Sequence, residues 1–223
     1  HRNASGDYAT LTINLASAFI ATDSDGDSVV LDGTINIAVE NDVPVQNFSA
    51  SVSGSVQEDA LTLANSDGHA VGNSEGSDQT TVATGSLSSL VSVGADEPGT
   101  FSLGSPSGLP NITSHGATVH YSVSGDTLTA YVDSNNSGGL DAGDRDIFTL
   151  QVSANGDYKF TLLDNIDHLP NVPPNDDAQT LTLSLASAIT FTDFDGDSIT
   201  LSGGFSVSVE DDIPVVTVSA PDS

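Results

Sequence analysis

Asp23-Ser24-Asp25-Gly26-Asp27 and Asp193-Phe194-Asp195-Gly196-Asp197 each set three carboxylates on alternate residues of a short segment, with a glycine to allow the bend. Alternate aspartates in a tight loop aim their oxygens at one centre, and a hard cation such as Ca²⁺ takes about 6–8 oxygens at roughly 2.3–2.6 Å. No Lys or Arg stands near either run, so the neighbouring carboxylates repel one another unless a cation joins them. The same residues also read as an Asx-rich turn that satisfies its own backbone.

A third run is longer. From Asp133 to Asp144 the chain places Asp133, Asn135, Ser137, Asp141 and Asp144 at positions 1, 3, 5, 9 and 12, with Gly138 at 6, Gly139 at 7 and Leu140 at 8. That is the twelve-residue calcium-loop pattern of EF-hands, with Asp in place of the bidentate Glu at its end, which favours weaker or monodentate ligation. The flanks, DTLTAYV and DIFTLQV, alternate as strands rather than helices. The prediction is a calcium-type loop closing a β-hairpin, set against a merely polar hairpin loop.

Charge decides which partners are open to such a chain. Of 223 residues 31 are acidic and three basic, a formal net charge of −28, and 26 of the acids are Asp against five Glu. Nucleic-acid binding needs clustered Lys and Arg, and only Arg2, Arg145 and Lys159 exist. An anionic membrane surface is disfavoured for the same reason. No stretch approaches the roughly 20 apolar residues of a membrane-spanning helix, and His1-Arg2-Asn3 does not open a signal peptide's apolar core. Direct membrane insertion is not expected, and any export signal is expected outside this sequence. Absence of Cys removes disulfides, thiolate metal sites and cysteine nucleophiles.

The elements that position these loops follow from a repeat. Residues 10–45 align without a gap to residues 180–215 at a constant offset of 170, with 20 of 36 positions identical. The chain therefore reads as a window on a tandem array: 1–46 the C-terminal part of a preceding repeat, 47–216 a complete repeat, 217–223 the start of the next linker. A tail of 46 residues must pack on its neighbour, pair with another chain or hold itself around metal. Apolar residues alternate in runs such as Val119-Tyr121-Val123, Leu128-Ala130-Val132, Phe148-Leu150-Val152, Tyr158-Phe160-Leu162, Leu181-Leu183-Leu185 and Phe205-Val207-Val209. One apolar face per run predicts an all-β antiparallel sandwich. Asn155-Gly156 predicts a tight hairpin turn, since both residues tolerate positive φ. Leu15-Ala18-Phe19 and Leu87-Leu90-Val91 predict single helical turns. Residues 64–80 and 169–176 read as loops.

The copy boundary carries a further acidic cluster, Glu40-Asn41-Asp42-Val43-Pro44 and Glu210-Asp211-Asp212-Ile213-Pro214. This stretch resembles the junctions of cadherin-type repeats, which implies that Glu40, Asp42 and Glu58 share an interdomain Ca²⁺, with Glu210 and Asp212 their counterparts. An acidic linker is the other reading. With T-D-x-D-G-D-S (22–28 and 192–198), E-x-D-x-P-V and V-Q-E-D-A-L (56–61), the chain resembles the repeats of giant repeat-in-toxin (RTX) adhesins. The resemblance implies an Ig-like or cadherin-like calcium-binding module, exported by type I secretion to the extracellular face of a bacterium for attachment and biofilm formation. Its expected partners are neighbouring repeats, with any surface ligand met through other domains.

Catalysis is not expected. The five histidines, His1, His69, His115, His120 and His168, form no zinc motif and read as surface or loop residues. Gly72-Asn73-Ser74-Glu75-Gly76 lacks the strand and helix of a nucleophile elbow. The rival to a spacer is a calcium-dependent glycan- or surface-binding module using the 64–80 loop, although aromatic content is only 5%.

Overall fold

A computed structural model describes residues 10–61, 80–168 and 179–211. The 64–80 loop (Thr80 excepted), the 72–76 motif and the proline-rich 169–176 segment lie outside these residues.

Strict alternation produces the strands and selects their inward faces. In Asp157–Leu162 the side chains of Tyr158, Phe160 and Leu162 are buried, and in Phe205–Glu210 those of Phe205, Val207 and Val209. A five-stranded antiparallel sheet runs in the order His120–Ser124, Thr127–Val132, Arg145–Val152, Asp157–Leu162, Val82–Ser86. Two three-stranded sheets complete the body: Thr180–Ser184, Phe205–Glu210 and Val52–Gln57 form one, and Ser198–Thr200, Ile189–Thr192 and Thr100–Leu103 the other. Their side chains meet in one core. Phe148 lies on Phe160, Tyr158 on Phe205 and Phe101 on Phe191, each pair with ring centroids 4.8 Å apart. The fold is the all-β sandwich that the periodicity predicts.

One pairing departs from the antiparallel rule. Val52–Gln57 lies parallel to Phe205–Glu210, from Val52 opposite Phe205 to Gln57 opposite Glu210. The first strand of the repeat thus enters beside the start of the last strand, and both run the same way. The chain arrives at one end of the sandwich, the leading end, and Glu210 lies at the other, the trailing end, roughly 17 Å away at about 3.3 Å per residue.

The repeat is structural as well as sequential. Thr10–Asn14 pairs with Asn36–Glu40 and Ile20–Thr22 with Ser28–Val30, and the registers Thr10↔Glu40 and Ile20↔Val30 are those of Thr180↔Glu210 and Thr190↔Thr200 displaced by 170. Single 3-10 turns at Ala16–Ala18, Ser88–Leu90 and Ala186–Ala188 stand where one helical turn is predicted or repeated. The hairpin at Asn155-Gly156 is tight, but only Gly156 takes a positive φ, of 88°. Asn155 instead uses its side-chain oxygen to accept the Asp157 N–H at 3.2 Å, so it has no need of the left-handed conformation.

Repeat equivalence supplies an internal control on packing. Leu183 is 0% exposed and its counterpart Ile13 is 39% exposed. Leu183→Ala is expected to lower unfolding stability by about 2–5 kcal/mol. Ile13→Ala is expected to lower it by well under about 1 kcal/mol. Urea unfolding followed by circular dichroism measures both.

Candidate metal centres

The loop Asp193–Asp197 joins the strands Ile189–Thr192 and Ser198–Thr200, and the start of the loop is fixed by its own backbone. Asp193 Oδ1 accepts the N–H of Gly196 at 2.9 Å and of Asp197 at 2.8 Å, while Gly196 makes the bend at φ 101°. Asp193 is buried, and its second oxygen, Oδ2, is buried with no hydrogen-bond partner. Burial raises the Asp193 pKa, and the neighbouring Asp195 carboxylate adds to the shift, against the backbone N–H groups that lower it. Phe194 donates its N–H to the Asp96 carbonyl at 3.0 Å, which draws in a residue that the sequence did not single out. Carboxylate oxygens of Asp96, Asp193 and Asp195 lie within 4.8 Å of one another.

Asp197 faces the preceding copy. Its Oδ2 accepts from Asn41 Nδ2 at 2.5 Å, and Asp42 Oδ2 accepts from the Ala95 N–H at 2.6 Å. Asp42 rests against Gly94, whose φ of 82° and missing Cβ make room for the carboxylate. Gln46 donates to the Gly203 carbonyl at 2.9 Å and accepts from the Ser202 N–H at 2.9 Å, and Val45–Gln46 pairs with Val91–Ser92. The boundary stretch is therefore stitched to the leading end of the sandwich beside the acidic cluster.

The counterpart loop Asp23–Asp27 has the same form. Asp23 Oδ1 accepts from the backbone N–H of Asp25, Gly26 and Asp27 at 3.3, 3.1 and 2.9 Å, Gly26 has φ 104°, and oxygens of all three aspartates lie within 4.8 Å of one another. These residues are exposed. The Asp23 pKa moves down, first through its hydrogen bond with the Asp25 side chain, where that of the buried Asp193 moves up. Burial by the rest of the repeat separates the two.

At the trailing end the geometry differs from the sequence expectation. Glu58 is not brought to Glu40 and Asp42, because the parallel first strand carries it the length of the sandwich away from the boundary. It is buried, accepting from the Ile166 N–H at 2.7 Å and from Asn165 Nδ2 at 2.9 Å, and burial raises its pKa. Beside it stands His168, a loop residue as expected, whose side chain is nonetheless only 4% exposed. Its Nδ1 lies 2.9 Å from the Ile166 carbonyl and 3.3 Å from Asp211 Oδ1, and its Nε2 lies 3.1 Å from the Val209 carbonyl. Glu58, His168 and Asp211 form the third group of converging ligand atoms. Asp211 belongs to the boundary run Glu210-Asp211-Asp212 that the sequence singles out, although the expectation there took its neighbours Glu210 and Asp212. Glu40 and Glu210 end their strands opposite Thr10 and Thr180 and join no such group among the described residues, and Asp212 lies outside them.

The twelve-residue loop closes the hairpin between Thr127–Val132 and Arg145–Val152, as predicted, with Gly138 at φ 87°. Its polar groups face one another. Asp133 accepts from the N–H of Ser137 and Gly138, Asn135 Nδ2 donates to Asp141, Asp144 accepts from the N–H of Ser134 and Asp141, and the Ser137 hydroxyl donates to the Gly139 carbonyl. The Gly143 N–H, ahead of Asn135, lowers the Asp141 pKa. Asp133, Asp141 and Asp144 do not converge as the other three groups do.

Hard oxygen donors and a buried carboxylate oxygen without a partner fit a divalent cation at Asp96, Asp193 and Asp195. The pKa direction supplies a test. A carboxyl whose folded pKa is raised weakens the fold once pH exceeds that pKa, and the penalty fades as pH falls towards the unfolded value near 4. Asp193→Asn is accordingly expected to raise the melting temperature in chelator at pH 7 and to shrink the difference between pH 7 and pH 4.5, while removing the stabilisation that calcium adds. Thermal scans at both pH values, with and without calcium, read all three effects.

The family described as Domain of unknown function (DUF5801) matches residues 56–203, which is 148 of the 223 residues, and the chain belongs to it. No curated protein and no solved structure matches the chain.

Proposed function

We propose that this member of the DUF5801 family is a calcium-stabilised extender module of a large RTX-type adhesin, delivered by type I secretion to the bacterial cell surface. It acts by length and stiffness, its partners are the neighbouring repeats, and attachment to a surface or a biofilm is left to other domains. The observation that carries this reading is the joint at the leading end. Asn41 and Asp42 of one copy dock on the next beside Asp96, Asp193 and Asp195, where a buried carboxylate oxygen lacks a partner.

Calcium at that joint supplies positive charge to the buried Asp193 Oδ2, which has no hydrogen-bond partner. The residues that would hold it are Asp96, Asp193 and Asp195, with Asp42 and Asp197 adjoining. The parallel pairing of first and last strands supports the extender role, because copies joined leading end to trailing end lengthen the chain rather than fold it back. A chain of net charge −28 repels itself, and each Ca²⁺ offsets two of those charges. Millimolar extracellular calcium is enough for sites with dissociation constants of about 10⁻⁴–10⁻³ M, and cytosolic calcium is too low to fill them.

Thermal unfolding and small-angle X-ray scattering in calcium and in chelator test the proposal. At a calcium concentration of about 100 Kd, one site adds about 2.7 kcal/mol, and the melting temperature rises with calcium until the sites fill. Scattering is expected to show a narrower range of dimensions with calcium as the joint stiffens. Identical melting and identical scattering in the two conditions would refute it.

A further inference from the structure

Residues 10–40 reproduce the strand pairs of residues 180–210, yet their apolar side faces solvent. Ile13, Phe19, Ile37 and Val39 are 39%, 52%, 48% and 48% exposed, and their counterparts Leu183, Ile189, Val207 and Val209 are all 0% exposed. The edges are open too. Phe205–Glu210 is flanked by Val52–Gln57, and Ile189–Thr192 by Thr100–Leu103, but among the described residues Asn36–Glu40 and Ile20–Thr22 have no third strand. Every missing piece, both strands and the five-stranded sheet with its core face, belongs to one stretch of the complete copy, residues 47–168. The body in this chain is already filled by residues 180–210, so it does not cover the open face.

We infer that residues 10–40 are the open half of a β-sandwich whose occupant is the strand body of another repeat of this kind, the counterpart of residues 47–168. The apolar content and open edges of a stand-alone half leave a surface suited to strand addition and core burial together. One position sets the quality of the fit. Phe191 packs edge-on against Phe101 and over Gly99, where any side chain would strike its ring, and the residue at the equivalent place in the open half is Ala21. A body identical to residues 47–168 therefore fits residues 10–40 with a hole opposite Ala21. This inference does not rest on calcium.

The test joins residues 47–178 directly to residue 9 of the chain, which preserves the 170-residue spacing and offers a body to the open half. All measurements are made in calcium and repeated in chelator, so that a failure here is separable from a failure of the cation proposal. Compared with the 223-residue chain, the extended chain is expected to lose most of its binding of an apolar fluorescent dye. It is also expected to gain a second cooperative unfolding transition and amide-exchange protection in Asn36–Glu40 and Ile20–Thr22. Ala21→Phe is expected to raise the midpoint of that added transition and to leave the melting of the 223-residue chain unchanged. Unchanged dye binding with a single transition overturns the inference. So does loss of dye binding in the 223-residue chain as it dimerises in sedimentation, because the face is then covered by a second copy of itself.

Discussion

A carboxylate taken out of water must be compensated, and this chain has almost no cationic side chain with which to do it. Arg145 is committed to Asp164 and to the hydroxyl and carbonyl of Ser114, and Lys159 points outward from the five-stranded sheet. Much of the compensation falls to N–H groups that the loops aim at these oxygens: two backbone N–H on Asp193, one on Glu58 beside the Asn165 amide, and another on Asp42 at the joint. Such donors run out where oxygens outnumber them. Asp193 Oδ2 is one such oxygen, and it sits beside the docked boundary stretch, where a bound cation would couple loop folding to domain alignment.

The parallel strand pair turns this local chemistry into an arrangement with direction. Because the first and last strands run together, the acidic groups collect at opposite ends: Asp96, Asp193 and Asp195 lead, while Glu58, His168 and Asp211 trail. Repeat equivalence relates the two ends. Asn41 touches Asp197 of the following copy, and Asp211 is the residue that occupies the place of Asn41 one repeat later. In the proposed array the trailing group of one repeat therefore borders the leading group of the next. In that array the two clusters would act as halves of one joint.

Much of this architecture was legible because period-two alternation is a local signal and the 170-residue offset shows on comparing the sequence with itself. Phe205, Val207 and Val209 point inward as the pattern requires, and the two D-x-D-G-D loops share their backbone geometry. What escaped depends on pairings that join distant residues. Glu58 stands 14 residues from Pro44 in sequence, but the parallel register carries it to the far end, where residues 165–168 and 211 meet it. His168 reads as a surface or loop histidine because it lies in a stretch without strand periodicity, and its burial comes from Glu58 and Asp211, distant in sequence. Asp96 lies in an aperiodic stretch, and only the contact with Phe194 brings it to the cluster. The twelve-residue loop shows the converse: correct spacing placed a glycine at the bend, yet the carboxylates turn to backbone and amide donors of their own loop.

Tandem copies that share 20 of 36 residues across the same strands face the hazard of exchanging those strands, since the backbone register offers no discrimination. Discrimination has to come from side chains in the core. Phe191 with Phe101, and Phe205 with Tyr158, are aromatic pairs whose first members are Ala21 and Ile35 in the other copy. Losing a buried phenylalanine to alanine costs about 3–5 kcal/mol, which exceeds the RT-scale differences that separate near-identical partners. Divergence at these positions, set against identity in the turns and D-x-D-G-D loops, would favour each set of strands with its own body. Private aromatic contacts in the core thus stand beside acidic loops that the two copies hold in common, Asp23–Asp27 and Asp193–Asp197.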